Sequence, residues 1–378
     1  MINKLPKSID NQQENIFLKE ELFPRQTGRG SISNRTGRFE KHNEQAVQDG
    51  WLSGKEFLSQ NKVSTSLTKD ACKTIITRNQ SPDVPFDRSI NPYRGCEHGC
   101  IYCFARPTHA FLGFSAGLDF ETKLFYKPEA PNLLRRELSK AAYKCRTIAM
   151  GTNTDPYQPV EKQLRLTRGI LEVLSEFNHP VSIVTKSTLV LRDLDILKIM
   201  AKQGLVKVSL SVTTLDHRLS NKLEPRAPTP MKRLATIRTL VDAGIPCGII
   251  VAPIIPGLND HKLEGILASG SDAGAQLASY ILLRLPLEVS ELFKEWLNIH
   301  EPNRANRVMN LLASTRGGKV YQSAFNSRMT GAGEYAFLLK RRFNLALKKF
   351  NYDSPGIALN TSQFGVPKKI DNNQLALF

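Results

Sequence analysis

The chain has 378 residues, 41% of them hydrophobic, and a formal net charge of +17, enough to bury one large domain with appendages. Residues 1–10 lack the apolar stretch of a signal peptide, and the longest apolar run, 245–257, holds three prolines and is too short to cross a bilayer. Secreted and membrane classes are thereby set aside, and a monomer in a reducing cytoplasm is the expectation.

Residues 1–65 are polar, rich in Asn, Gln and Lys and without sustained periodicity, which predicts a mostly disordered or extended segment. Gly28-Arg29-Gly30 and Gly37-Arg38-Phe39 interrupt it. Composition reads them as linkers, although arginine beside glycine also permits close approach to a phosphate or a cleft. From 80 to 286, short β-rich runs alternate with amphipathic stretches. Strands are predicted at 89–93, 146–150, 181–185, 206–212, 247–252 and 278–284, with helices at 132–143, 165–177, 191–201, 231–243 and 263–270. This alternation predicts an α/β fold with a parallel sheet and helices outside it. Six units make a partial (β/α)6 TIM-like barrel, whose reactive groups collect at the C-terminal strand ends.

Residues 287–378 read as a basic helical C-terminal extension, with helices at 289–299, 304–313 and 335–349, and are expected to close the open side of the barrel. Ten lysines and arginines lie between Arg304 and Lys349 against one acid, Glu334. They form either a phosphate-tracking surface for nucleic acid or a solvated helix face.

After the first predicted strand come Cys96, Cys100 and Cys103, spaced C-x3-C-x2-C. Three thiolates can hold three corners of an iron–sulfur cube and leave one iron open to a ligand. Zinc would need a fourth donor. His98 sits between two of the cysteines, where ring and thiolates can hardly close one tetrahedron, and no second cysteine pair follows. A purely structural role suits the Gly, Glu, His and Arg of the loop poorly. Cys72, Cys145 and Cys247 are scattered, which argues against a second cluster and against a disulfide framework.

Polar residues at the other strand ends are candidate ligand contacts. Lys186 ends the third strand, where an ammonium either meets a carboxylate or faces solvent. Alternation in 209–214 places Ser209, Ser211 and Thr213 on one inward face, where hydroxyls need a ligand or each other. Asn153 and Asp155 follow the second strand, although Asp155-Pro156 also suits a turn. Beyond the fourth, Glu224 and Arg226 pair together or Arg226 meets a ligand.

The cysteine spacing, with Tyr102 directly before the last cysteine, resembles the signature of the radical S-adenosylmethionine superfamily. The Asn-Pro-Tyr-Arg-Gly before Cys96 and Thr-Asp-Pro-Tyr-Gln-Pro at 154–159 look like the branch related to spore photoproduct lyase. Residues 28–40 look like a largely uncharacterised subfamily of it, and the resemblance spans about 25 to 350. It implies a [4Fe–4S] cluster on the three cysteines and S-adenosylmethionine (SAM) chelating the open iron. It also implies a 5′-deoxyadenosyl radical and an external one-electron donor of flavodoxin or ferredoxin type. By the same resemblance Lys186 meets the SAM carboxylate, Ser211 contacts the cofactor, Asn153 and Asp155 face its amine, and Tyr102 and 252–257 pack on adenine. Two departures weaken lesion repair: Thr152 stands where that branch has a hydrogen-donating cysteine, and Phe104 where it has a tyrosine. The substrate is open, with nucleic acid the leading class. The alternative is a non-catalytic nucleic-acid-binding protein with a structural zinc loop.

Overall fold

The computed structural model describes residues 28–40, 64–352 and 356–367. In chain order its strands and longer helices are β1 (Ser66–Lys69), β2 (Ile76–Arg78), β3 (Arg88–Ile90), β4 (Tyr93–Arg94), β5 (Lys123–Tyr126), α1 (Ala130–Leu138), β6 (Ile148–Met150), α2 (Leu166–Glu176), β7 (Val181–Thr185), α3 (Leu194–Lys202), β8 (Val206–Ser211), α4 (Pro230–Asp242), β9 (Cys247–Ile254), α5 (Leu263–Asp272), β10 (Leu277–Leu282), α6 (Glu288–His300), α7 (Pro302–Ser314) and α8 (Glu334–Lys349). Strands β3, β6, β7, β8, β9 and β10 lie side by side and parallel in one sheet. Antiparallel β2 forms the edge beside β3, and β10 is the opposite edge. The sheet therefore remains open, as the six-unit pattern predicts.

Period-two alternation explains how these strands are covered. Val181 and Ile183 of β7 and Val206, Val208 and Leu210 of β8 share one buried cluster with Leu174 of α2, Met200 of α3 and Ile237 of α4. Each such side chain contributes about 1.5–3 kcal/mol on full burial. The alternate residues, among them Ser209 and Ser211, face the barrel interior.

The predicted strand 89–93 is divided. Arg88–Ile90 joins the barrel, whereas Tyr93–Arg94 pairs with β5, which pairs in turn with β1 in a separate sheet. Pro92 lies between them; without an N–H it cannot continue the ladder. The predicted helix 191–201 begins late, after a 3-10 stretch, Thr188–Asp193, capped by Ser187, whose Oγ accepts from the Leu189 N–H at 3.2 Å.

The linker reading of residues 28–40 is corrected. The Gly30 and Ser31 N–H groups donate to the buried Glu121 carboxylate at 2.9 and 2.8 Å. A Cβ at Gly30 would lie 1.6 Å from the Gly99 carbonyl oxygen of the cysteine loop. Composition reports only local polarity; here the polar backbone finds its partner 91 residues away. The expectation of disorder for 1–27 and 41–63 falls outside the described residues.

The chain after α7 crosses the open side of the barrel. Leu282 N–H donates to Met329 O at 2.8 Å beyond the last strand. At the other edge, Arg328 pairs with Asp83 and the Asn326 N–H donates to Asp83 Oδ1 at 2.5 Å. Basic residues of this region divide in two. Arg316, Arg328 and Arg342 are held by internal carbonyls or carboxylates, whereas Arg304, Arg307, Lys319, Lys340, Arg341, Lys348 and Lys349 are exposed. No described helix is long and apolar enough to cross a membrane.

Candidate active site at the strand ends

The cysteine loop leaves β4 through Gly95 and turns again at Gly99, at φ +77° and +66°, a region that glycine enters without strain. Its backbone is tied from outside: Cys96 N–H donates to Phe120 O at 2.9 Å and Ile101 N–H to Leu223 O at 3.1 Å. Arg106 donates from Nε to Cys100 O at 2.9 Å and forms a fully buried ion pair with Glu121. Gln158 completes the frame, donating to Gly95 O at 3.1 Å and accepting from Glu97 N–H at 2.9 Å. Sequence reasoning missed Arg106 and Gln158, although Arg106 lies three residues past Cys103 and Gln158 within the 154–159 motif.

All three cysteines line one cavity of about 300 Å³ at the C-terminal strand ends, within the usual range for small-molecule sites. Burial, followed by the nearby Glu224 charge, pushes the Cys100 thiol up to about 12. A metal must therefore displace protons to bind there. Among the described residues no three His, Cys, Asp or Glu side chains converge closely enough to hold a single ion. His98 turns from the cysteines to Asp155, with Nδ1 3.4 Å from Oδ2. With His98 held by Asp155, the loop offers three thiolates, one donor short of a zinc tetrahedron and the number that binds three corners of an iron–sulfur cube.

Lys186, after β7, sends Nζ to Ser211 Oγ at the end of β8, a 2.8 Å hydrogen bond. The same Nζ is 3.8 Å from Glu224 Oε1 and 5.9 Å from the centre of the Tyr102 ring. Tyr102 donates its hydroxyl to Glu224 and lies 3.2 Å from Thr213 Oγ1. Glu224 in turn pairs with Arg233 of α4. Burial acts to raise the Glu224 pKa, but the Arg233 and Lys186 charges outweigh it and leave the carboxyl at about 2.

Asp155 lines the cavity, yet its oxygens already accept from Thr185 Oγ1 at 2.7 Å, Lys186 N–H at 2.8 Å and Tyr157 N–H at 2.9 Å. Burial opposes ionisation, but the His98 charge and these hydrogen bonds prevail and bring the group to about 2. It is a bracket between cysteine loop and strand tip. Asn153 lines the cavity, its N–H donating to Asn91 Oδ1 at 3.2 Å. Thr152, Phe104, Ala252 and Pro253 line it too.

Two candidates are not brought to the cavity. Ser209 lies one inward layer below Ser211, against Gly248, where a Cβ would approach its Oγ to 2.8 Å. Arg226 reaches back over the cysteine loop, with its N–H on His98 O at 3.3 Å and Nη2 3.3 Å from Glu97 Oε1. Of the two alternatives for Glu224 and Arg226, the mutual pair is not formed: Glu224 is fully buried against Arg233 of α4, and Arg226 is paired with Glu97.

Residues 90–269 match the family model of the radical SAM superfamily. The chain is 38% identical over 245 residues to an uncharacterized protein of Mycobacterium tuberculosis (strain ATCC 25618 / H37Rv), covering 64% of this chain and 72% of that protein. An uncharacterized protein of Methanocaldococcus jannaschii is 31% identical over 227 residues, covering 60% of this chain and 81% of the relative. Among solved structures, a spore photoproduct lyase variant with bound AdoMet and dinucleoside spore photoproduct is similar at a TM-score of 0.56. It is 16% identical and covers 81% of this chain and 85% of that one.

Proposed function

This chain belongs to the radical SAM superfamily, and we propose that it is an enzyme in which Cys96, Cys100 and Cys103 hold a [4Fe–4S] cluster and the remaining iron takes SAM. The observation that carries this reading is the meeting of three buried-loop cysteines with Lys186 and Ser211 in a single cavity. When bound, such a cluster supplies one electron that splits SAM into methionine and a 5′-deoxyadenosyl radical.

The chain's own residues have plain tasks in this scheme. Lys186 offers a positive charge to the cofactor carboxylate, aimed by Ser211 and kept in place by Glu224. Arg233 holds Glu224 ionised, and Glu224 orients the Tyr102 ring at the cavity wall. Apolar side chains at the mouth, among them Val84, Phe86 and Met329, limit the water that would quench a radical.

Thr152 occupies the second strand tip where a thiol would return hydrogen in lesion repair. A hydroxyl is a far poorer hydrogen-atom donor, which disfavours lesion repair as the reaction. Nucleic acid is the leading substrate class, supported by the seven exposed cations between Arg304 and Lys349. Electrons come from a flavodoxin- or ferredoxin-type donor in a reducing cytoplasm.

Anaerobic reconstitution tests the proposal. Iron with inorganic sulfide, and release of 5′-deoxyadenosine on reduction with SAM, are expected. Cluster-loaded protein that releases none would end the enzyme reading, and stoichiometric zinc without sulfide would restore the zinc-loop alternative.

A further inference from the structure

The cavity wall beside the edge strand β10 carries charge that the protein does not balance. Arg284, just past β10, lines this wall. Its guanidinium carbon lies 5.0 Å from the centre of the Phe104 ring, and Nη1 lies 3.4 Å from Met329 Sδ. A thioether is a weak acceptor, so these contacts fix direction without neutralising charge. Nε of Arg284 is buried and has no hydrogen-bond partner.

Arg316 adds a second cation behind it. It is 1% exposed, donates only to the carbonyls of Leu283, Ser327 and Arg328, and also leaves Nε without a partner. Burial, then the neighbouring Arg284 charge, pushes Arg316 down to about 10. Among the described residues no carboxylate forms an ion pair with either guanidinium. Two unbalanced cations in a low-dielectric wall are costly, and an entering oxyanion relieves that cost. A carboxylate would balance one of them, a phosphate dianion both, and the planar fork of arginine suits phosphate oxygens.

Position separates this charge from the cofactor side. Ser211 ends β8, whereas Arg284 follows β10, two strands further along the sheet, which is about 10 Å at the usual strand spacing. We infer that Arg284 is the anion-recognising residue of the cavity's substrate half, taking a phosphate group of the substrate. The division into halves rests on the cofactor role proposed for Lys186 and Ser211.

Calorimetric titration of inorganic phosphate into the reconstituted, SAM-saturated protein at fixed ionic strength reads this site without turnover. Saturable binding is expected, at least ten-fold weaker in Arg284→Met, partly retained in Arg284→Lys and unchanged in the surface control Arg136→Met, an exposed residue of α1. Should the Met variant lose its cluster, Arg284→Gln makes the same comparison, and the parent protein carries two tests of its own. Acetate binding as tightly as phosphate, phosphate displacing SAM, or binding indifferent to the Arg284 substitutions would each overturn the assignment. A protein that releases 5′-deoxyadenosine but binds no phosphate loses this site alone. One that binds phosphate through Arg284 yet never forms 5′-deoxyadenosine loses the proposed function alone.

Discussion

Arg106 and Glu121 form an ion pair at 2.5 Å with both side chains entirely buried. Arg106 also donates to the carbonyls of Cys100, Ala116 and Gly117, and Glu121 accepts from the Gly30 and Ser31 N–H groups. Residues 30–31 and 116–121 are thus fastened to the cysteine loop by two charges, each with several hydrogen-bond partners. Removing one partner leaves the other as a buried, uncompensated charge, which typically costs about 3–5 kcal/mol.

Glu121→Gln should therefore lower unfolding free energy by about 3 kcal/mol and reduce the iron bound per chain after reconstitution. Denaturant titration and iron analysis check this. An unchanged midpoint would mean that the pair does not hold the loop.

Lys186→Ala should weaken SAM binding at least ten-fold, the loss of one charge-assisted contact worth roughly 1.5–3 kcal/mol. Cluster content should stay intact, because Nζ touches Ser211 and Glu224 rather than a cysteine. Equilibrium dialysis of the reconstituted variant gives both numbers. Loss of the cluster with the affinity would remove Lys186 from its cofactor role.

Gly30→Ala places a methyl 1.6 Å from Gly99 O, so N-terminal segment and cysteine loop must move apart. A destabilisation of roughly 1–3 kcal/mol is expected, with slower cluster uptake than in the parent. Identical uptake kinetics would show that residues 28–40 do not support the loop.

Acid lability should report on His179. Burial, countered in part by a hydrogen bond to Pro180 O and aided by the Arg88 charge, pushes this imidazole down to about 4. Above the unfolded value, near 6.5, both states are neutral and the residue contributes no pH dependence. Between about 6.5 and 4 the unfolded chain binds the proton and the folded one does not, so stability falls with falling pH by up to about 1.4 kcal/mol per unit. His179→Gln should remove that component of the slope, measured by denaturant midpoints from pH 7 to pH 4.5. A variant slope equal to the parent's would contradict the assignment.

The strand–helix alternation, the open six-stranded barrel and the cysteine loop were legible in the residues themselves. Periodicities of 2 and 3.6 are local, and three cysteines within eight residues need no long-range contact to meet. Lys186 and Ser211 were legible for a related reason: parallel strands end on one side, so polar residues just past them converge. Asp155 lines the cavity, but its occupation by Thr185, Lys186 and Tyr157 was not visible in the sequence.

Tertiary structure alone decided which charges belong together. Glu224 takes Arg233 rather than Arg226, Glu121 takes Arg106 and two backbone donors some 90 residues upstream, and Arg284 is left without a carboxylate beside Phe104. It also set the depth of Ser209, one layer below the cavity floor, and drew residues 28–40 out of an apparent linker. Sequence spacing places a side chain on a face. Partner and depth follow from how distant segments close upon one another, where a buried charge settles on whichever opposite charge or N–H the packing brings within about 3 Å.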